Sequence, residues 1–266
     1  MTQTETSRVQ KAFQNKKAFI AYITGGDPTP GHTVSLIHAL EHGGASLIEL
    51  GVPFSDPIAD GPVIQRASER ALRAGANLPR LLESVREIRR TSQVPIILFS
   101  YMNPLMRYGF ERLARDASEA GVDGVLLTDL SVEEAAEPVR QLRRFGLDTV
   151  FLAAPTSSDR RLQLVAEHSS GFIYLVSRTG VTGAQEQVSS AIEPLIHRLR
   201  PLTDLPLAVG FGISTPEQVK EVASLTDGVV VGSALVRFIE ENASAPDLAA
   251  RLEAFTASLT KPLHSQ

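Results

Sequence analysis

Along the chain, short apolar runs alternate with stretches in which apolar and polar residues follow a helical period. The runs are Phe19–Ile23, Ser46–Leu50, Ile96–Tyr101, Gly124–Thr128, Thr149–Ala153, Phe172–Val176, Leu207–Phe211 and Gly228–Val231. They are rich in Val, Ile, Leu and Phe and do not alternate with polar residues, as expected of strands covered on both faces. Between them, stripes such as Leu81, Leu82, Val85 and Ile88, or Val132, Ala135, Val139 and Leu142, present one apolar face to a sheet and leave charge outside. Ser131 before Val132-Glu133-Glu134 and Thr215 before Pro216-Glu217 read as helix starts. Pro138 falls inside the Val132–Leu142 stripe, which predicts a lost hydrogen bond and a bend there.

Strands alternating with helices in this way predict an α/β fold. Eight units without a mid-chain linker favour a single-domain (β/α)₈ TIM barrel over residues 1–266 rather than a doubly wound open sheet. Additions to the barrel are expected at three places. One helix, Thr4–Gln14, lies in an N-terminal extension (residues 1–17). Another, Pro62–Arg73, precedes Leu78–Arg90. A last one, Asp247–Leu259, lies in the C-terminal segment 246–266.

Composition narrows the function. Hydrophobic residues at 43% and charged residues at 21% fit a globular protein and exclude a disordered one. Lys plus Arg (26) against Asp plus Glu (30) leaves a net charge of −4, which gives no footprint for nucleic acid or an anionic membrane. The absence of Cys excludes disulfide scaffolds, thiolate metal sites and a cysteine nucleophile, and fits a reducing, cytoplasmic setting. The first residues carry no apolar core of a signal peptide, and no apolar run reaches the ~20 residues of a spanning helix.

In such a barrel the chemistry belongs at the C-terminal strand ends. Gly212 and Gly232-Ser233 follow the seventh and eighth runs, with Gly183 after the sixth. Glycines there allow backbone N–H groups to approach a phosphate, and Ser233 could add a hydroxyl and cap the helix Ala234–Ile239. The plainer reading is that these glycines only make tight strand-to-helix turns. Glu49 interrupts an apolar run. Buried there it either pairs structurally or, with its pKa raised by desolvation, acts as an acid–base group. Asp60 follows on a loop stiffened by Pro53, Pro57 and Pro62, which holds it and Asp56 in defined places. His38-Ala-Leu-Glu41-His42 matches an inverted zinc-peptidase pattern. Ile37 and Leu40 form that segment's core face, which leaves His38, Glu41 and His42 outside the barrel, away from any site at its mouth. No metal is expected. Asn242-Ala-Ser244 fits a glycosylation sequon by chance.

The segment Ile48-Glu-Leu-Gly-Val-Pro-Phe-Ser-Asp-Pro-Ile-Ala-Asp-Gly-Pro-Val-Ile-Gln65 closely resembles the tryptophan synthase alpha subunit family. The likeness continues, in order, through Thr24-Gly-Gly-Asp-Pro28, Tyr101-Met-Asn-Pro104, Tyr174-Leu-Val-Ser-Arg-Thr-Gly-Val-Thr-Gly-Ala184, Gly210-Phe-Gly-Ile-Ser214 and Gly232-Ser-Ala-Leu-Val236. The resemblance implies a (β/α)₈ barrel that splits indole-3-glycerol phosphate into indole and glyceraldehyde 3-phosphate, without a cofactor of its own. It implies a beta-subunit partner carrying pyridoxal phosphate, in an αββα complex. A stand-alone indole-releasing lyase is the alternative, and a barrel that only binds a phosphorylated ligand is a third reading.

Carried over by position, the resemblance makes Glu49 and Asp60 catalytic. It puts Tyr174 near the catalytic carboxylate, Gly183, Phe211, Gly212, Gly232 and Ser233 at the phosphate, and Thr182 against Asp60 on lid closure. It lines the indole pocket with Tyr22, Phe99, Leu126 and Thr128. Tyr22 stands where the family often has Phe, and Phe99 where Leu is frequent. Ser131 stands in a stretch that meets the beta subunit and commonly has Pro.

Overall fold

A computed structural model describes residues 7–14, 16–176, 184–210 and 212–263, with 184–191 as backbone alone. Its strands are β1 (Ala18–Thr24), β2 (Leu47–Gly51), β3 (Ile96–Ser100), β4 (Gly124–Leu127), β5 (Asp148–Ala153), β6 (Ile173–Val176), β7 (Leu207–Gly210) and β8 (Gly228–Val231). All pair in parallel and in sequence order, and β8 closes on β1. The helices are α1 (Arg8–Lys11), α2 (Thr33–His42), α3 (Pro62–Arg73), α4 (Leu78–Ile88), α5 (Met102–Tyr108), α6 (Phe110–Ala120), α7 (Ala136–Arg144), α8 (Asp159–His168), α9 (Ala184–Leu199), α10 (Pro216–Leu225), α11 (Ser233–Glu241) and α12 (Leu248–Thr260). This is the (β/α)₈ barrel expected from the sequence. Among the described residues no helix is long and apolar enough to cross a membrane.

Successive side chains on a strand point to opposite faces, so each strand serves two cores. Ile20, Leu47, Ile97, Leu126, Val150, Phe172, Ala208 and Val230 fill the barrel interior. Their sequence neighbours, such as Phe19, Ile48, Leu98 and Val229, pack outward under the helices. That double burial is why the strands read as unbroken apolar runs.

The floor is closed by α1. Val9 and Ala12 join the interior cluster, and Phe13 meets Phe172 at 5.5 Å between ring centroids. This helix is shorter than the expected Thr4–Gln14. Ser7 caps it through the Gln10 N–H (3.2 Å), and after Lys11 the chain tightens into i→i+3 turns. Arg8 and Arg89 hold Asp123, whose carboxylate also accepts from the Ile96 N–H at 2.8 Å.

Two other expectations are corrected. The Val132–Leu142 stripe is a 3₁₀ turn (Val132–Glu134) followed by α7, so Pro138 sits in the first helical turn, where an N–H has no intrahelical acceptor to lose. Ser131 precedes the turn without capping it; its hydroxyl bonds Glu133 instead. Thr215 does cap α10, in a reciprocal box with Gln218.

Candidate active site

Alternation from Leu47 puts Glu49 inside the barrel, one layer nearer the C-terminal mouth. It is 1% exposed, and neither carboxyl oxygen has a hydrogen-bond partner among the described residues. Burial pushes its pKa up to about 8. At neutral pH the group is therefore mostly a carboxylic acid, able to donate a proton.

Asp60 lies two residues before α3, on the loop after β2. The loop folds on itself through Asp60 N–H to the Pro57 carbonyl (3.0 Å) and the Gln65 amide to the Asp60 carbonyl (2.9 Å). Burial raises the Asp60 carboxyl to about 6, with the Tyr101 hydroxyl pulling the other way. Asp60 is thus mostly ionised at pH 7, while Glu49 is mostly neutral. Two carboxyls held at different protonation states are suited to opposite roles.

Three of the chain's four tyrosines lie near these acids. Tyr22 stands beside Glu49 in the β1–β2 register, its ring edge-on to Phe99 at 5.1 Å. Glu49 and Asp60 both raise the pKa of the Tyr22 and Tyr174 phenols by charge repulsion, so the two acids lie near the same pair of rings. Burial holds both phenols above their usual pKa, and they stay neutral. Leu126 is buried among the interior side chains, with Phe99 packed against the same cluster. Thr128 sits just past β4 and donates to the Ser100 carbonyl at 3.3 Å.

Across the mouth, glycines follow β7 and β8. Gly212 has φ +65°, a left-handed conformation that glycine adopts without strain. Gly232, not Ser233, occupies the N-cap of α11, and Ser233 is already the first helical residue. This corrects the expected capping role of Ser233. The first bond of the helix runs from the Val236 N–H to the Gly232 carbonyl (3.0 Å). The N–H groups of Ser233, Ala234 and Leu235 thus lead out of the helix start, where an anion is favoured. Thr182, Gly183 and Phe211 lie outside the described residues.

Sequence reasoning gave Tyr101 no role, yet it anchors the Asp60 loop. Its hydroxyl accepts the Ala59 N–H at 3.0 Å, and its ring packs on Phe54 at 5.2 Å. Its position just past β3, in a chain with few tyrosines, was the available signal. Gly51 and Gly210 were also unassigned. A Cβ at Gly51 would lie 2.8 Å from Tyr22 Cζ, and one at Gly210 would lie 2.7 Å from Tyr174 Cζ. Both glycines make room for tyrosine rings from neighbouring strands. The His38-Glu41-His42 segment lies on α2, with Leu36, Ile37, Ala39 and Leu40 turned to the core. His42 faces Glu253 of α12 at 3.7 Å.

Comparisons with known proteins bear on the family and the fold. The sequence profile of the family described as "Tryptophan synthase alpha chain" matches residues 9–263. The tryptophan synthase alpha chain of Solibacter usitatus (strain Ellin6076) is 62% identical over 248 residues, covering 93% of each chain. The crystal structure of tryptophan synthase subunit alpha from Legionella pneumophila str. Paris superposes with a TM-score of 0.90 at 39% identity, covering 98% of this chain and 100% of that one. A chain of the tryptophan synthase complex from Pyrococcus furiosus gives 0.83 at 39% identity, covering 92% and 98%. With a family match over residues 9–263, a relative 62% identical over 93% of its length and a barrel that superposes on a solved alpha subunit, the chain belongs to the tryptophan synthase alpha chain family.

Proposed function

We propose that the chain cleaves indole-3-glycerol phosphate to indole and glyceraldehyde 3-phosphate by a retro-aldol reaction. One observation supports this above the others: a buried Glu49, without a hydrogen-bond partner among the described residues, close to the same two tyrosines as Asp60. A bond to an aromatic carbon breaks only after that carbon becomes sp³. Glu49 delivers a proton to indole C3, and the Asp60 carboxylate stabilises the positive charge that develops at the ring N–H. The C3–C1′ bond electrons then return to the ring. The C1′ hydroxyl becomes the aldehyde, and its proton passes to the Glu49 carboxylate, which restores the acid. The N-terminus of α11 with Gly212 anchors the phosphate, and Tyr22, Phe99, Leu126 and Thr128 enclose the indole. Thr182 meets Asp60 when the lid closes, with Gly183 and Phe211 completing the phosphate end and Tyr174 beside Glu49.

The reading includes a beta-subunit partner in an αββα assembly, with pyridoxal phosphate in the partner and no cofactor in this chain. Ile58, 87% exposed, and Met106, 57% exposed, stand on segments following β2 and β3 at the barrel mouth. Exposed large apolar side chains at the mouth suit a partner that receives indole there. The cytoplasmic setting expected from the cysteine-free sequence belongs to the same reading.

The test is indole release from indole-3-glycerol phosphate by the purified chain, with and without a beta subunit. Slow turnover alone and strong activation by the partner are expected. No cleavage under either condition overturns the reaction; fast cleavage alone, unchanged by the partner, favours the stand-alone lyase.

A further inference from the structure

An ion-pair chain ties the two helices that leave the site. Arg70 of α3 grips Asp27, in the loop after β1, through Nε and a terminal nitrogen, both at 2.9 Å. Its other terminal nitrogen reaches Glu240 of α11 at 2.6 Å. Glu240 also takes a two-pronged contact from Arg66 of α3, at 2.9 and 2.8 Å. Asp27 is 2% exposed, so the hub is rooted in the protein.

The position of this chain matters more than its strength. Both helices start at the barrel mouth. α3 begins just after Asp60, and α11 begins at the proposed phosphate anchor. Arg70 lies eight residues along α3 and Glu240 seven along α11, which is about two turns, or ~10–12 Å, down each. Nearer the mouth the helices meet through Ala67 and Val236, packed with Tyr22. Apolar contacts of this kind are non-directional and allow sliding. The forked guanidinium–carboxylate contacts do not, because their geometry is fixed.

We propose that Arg70 and Glu240 are positioning residues, whose pairing sets the offset of α3 against α11 and thereby the span from the phosphate anchor to Asp60. The proposal rests on the retro-aldol reading. A substrate held at both ends depends on that span, whereas one lacking the phosphate does not.

Glu240 lies on the helix surface, and Glu240→Ala leaves Asp27 paired with Arg70. The test compares kcat/KM for indole-3-glycerol phosphate with that for unphosphorylated indole-3-glycerol, in wild type, Glu240→Ala and Glu240→Gln. Glu240→Ala is expected to lower the phosphorylated-to-unphosphorylated ratio about tenfold with unphosphorylated cleavage unchanged. Glu240→Gln, which keeps acceptor capacity, recovers part of it. A ratio equal to wild type, whether both substrates fall together or neither changes, overturns the proposal. If Glu240→Ala does not fold, Glu240→Gln carries the same comparison. A wild-type chain inactive on both substrates would instead sink the retro-aldol reading itself.

Discussion

The ring of Tyr174 on β6 lies across Gly210 on β7, so that a side chain begun at Gly210 would meet Tyr174 Cζ at 2.7 Å and Val230 Cβ at 2.9 Å. Either the tyrosine ring or Val230 must give way to such a side chain, and the Tyr174 ring lies near Glu49. Gly210→Ala is therefore expected to cost about 1–3 kcal/mol by overpacking and to lower kcat at least tenfold. Thermal melts and steady-state kinetics check both; normal kcat in a folded variant would separate Tyr174 from the chemistry.

The proposed mechanism needs Glu49 protonated and Asp60 ionised. With carboxyls near about 8 and about 6, kcat/KM should rise with pH through about 6 and fall through about 8. Asp60→Asn should reduce the rate and abolish the acid limb. An acid limb that persists in that variant would assign it to another group, such as the substrate phosphate.

Glu49→Gln is expected to fold and to lose cleavage by about 10²–10⁴-fold, since an amide delivers no proton. It should also alter stability in a definite direction. A carboxyl whose folded pKa is raised holds its proton when the unfolded chain has released it. The contribution is fully present below the unfolded value of 4.5 and is lost as pH rises toward about 8. The wild type should thus lose stability relative to Glu49→Gln between pH 5 and 8, by a few kcal/mol in denaturant titrations. Parallel curves would show that Glu49 is not buried in solution.

Among the described residues nothing lies within 4 Å of a Cβ at Gly212, so against them a substitution acts through backbone strain and charge rather than collision. Gly212→Asp should raise KM for the phosphorylated substrate more than tenfold, and Gly212→Ala by less, because only Asp adds a like charge at the anion site. Equal KM values for Asp and Ala would remove the charge effect.

Asp123 gathers Arg8, Arg89 and the Ile96 N–H at the opposite end of the barrel. Asp123→Ala strands two cations and is expected to cost about 3–5 kcal/mol, with KM unchanged at permissive temperature. A changed KM would show that the floor is coupled to the mouth.

Element order was legible because burial on both faces makes each parallel strand a continuous apolar run, and one face of each helix an apolar stripe. Glu49 was conspicuous for the same reason, as a lone charge in such a run, and the glycines after β7 and β8 marked the strand ends. Local pattern says which face a residue takes; it does not say which residue of another strand it will meet. Closure of the barrel decided that. It laid the Tyr22 and Tyr174 rings over Gly51 and Gly210, put the Tyr101 hydroxyl on the Ala59 N–H, and carried Arg70 to both Asp27 and Glu240. The early start of α11 at Ser233 and the shortness of α1 were likewise set by the structure around them, because a helix end forms where its backbone groups find partners.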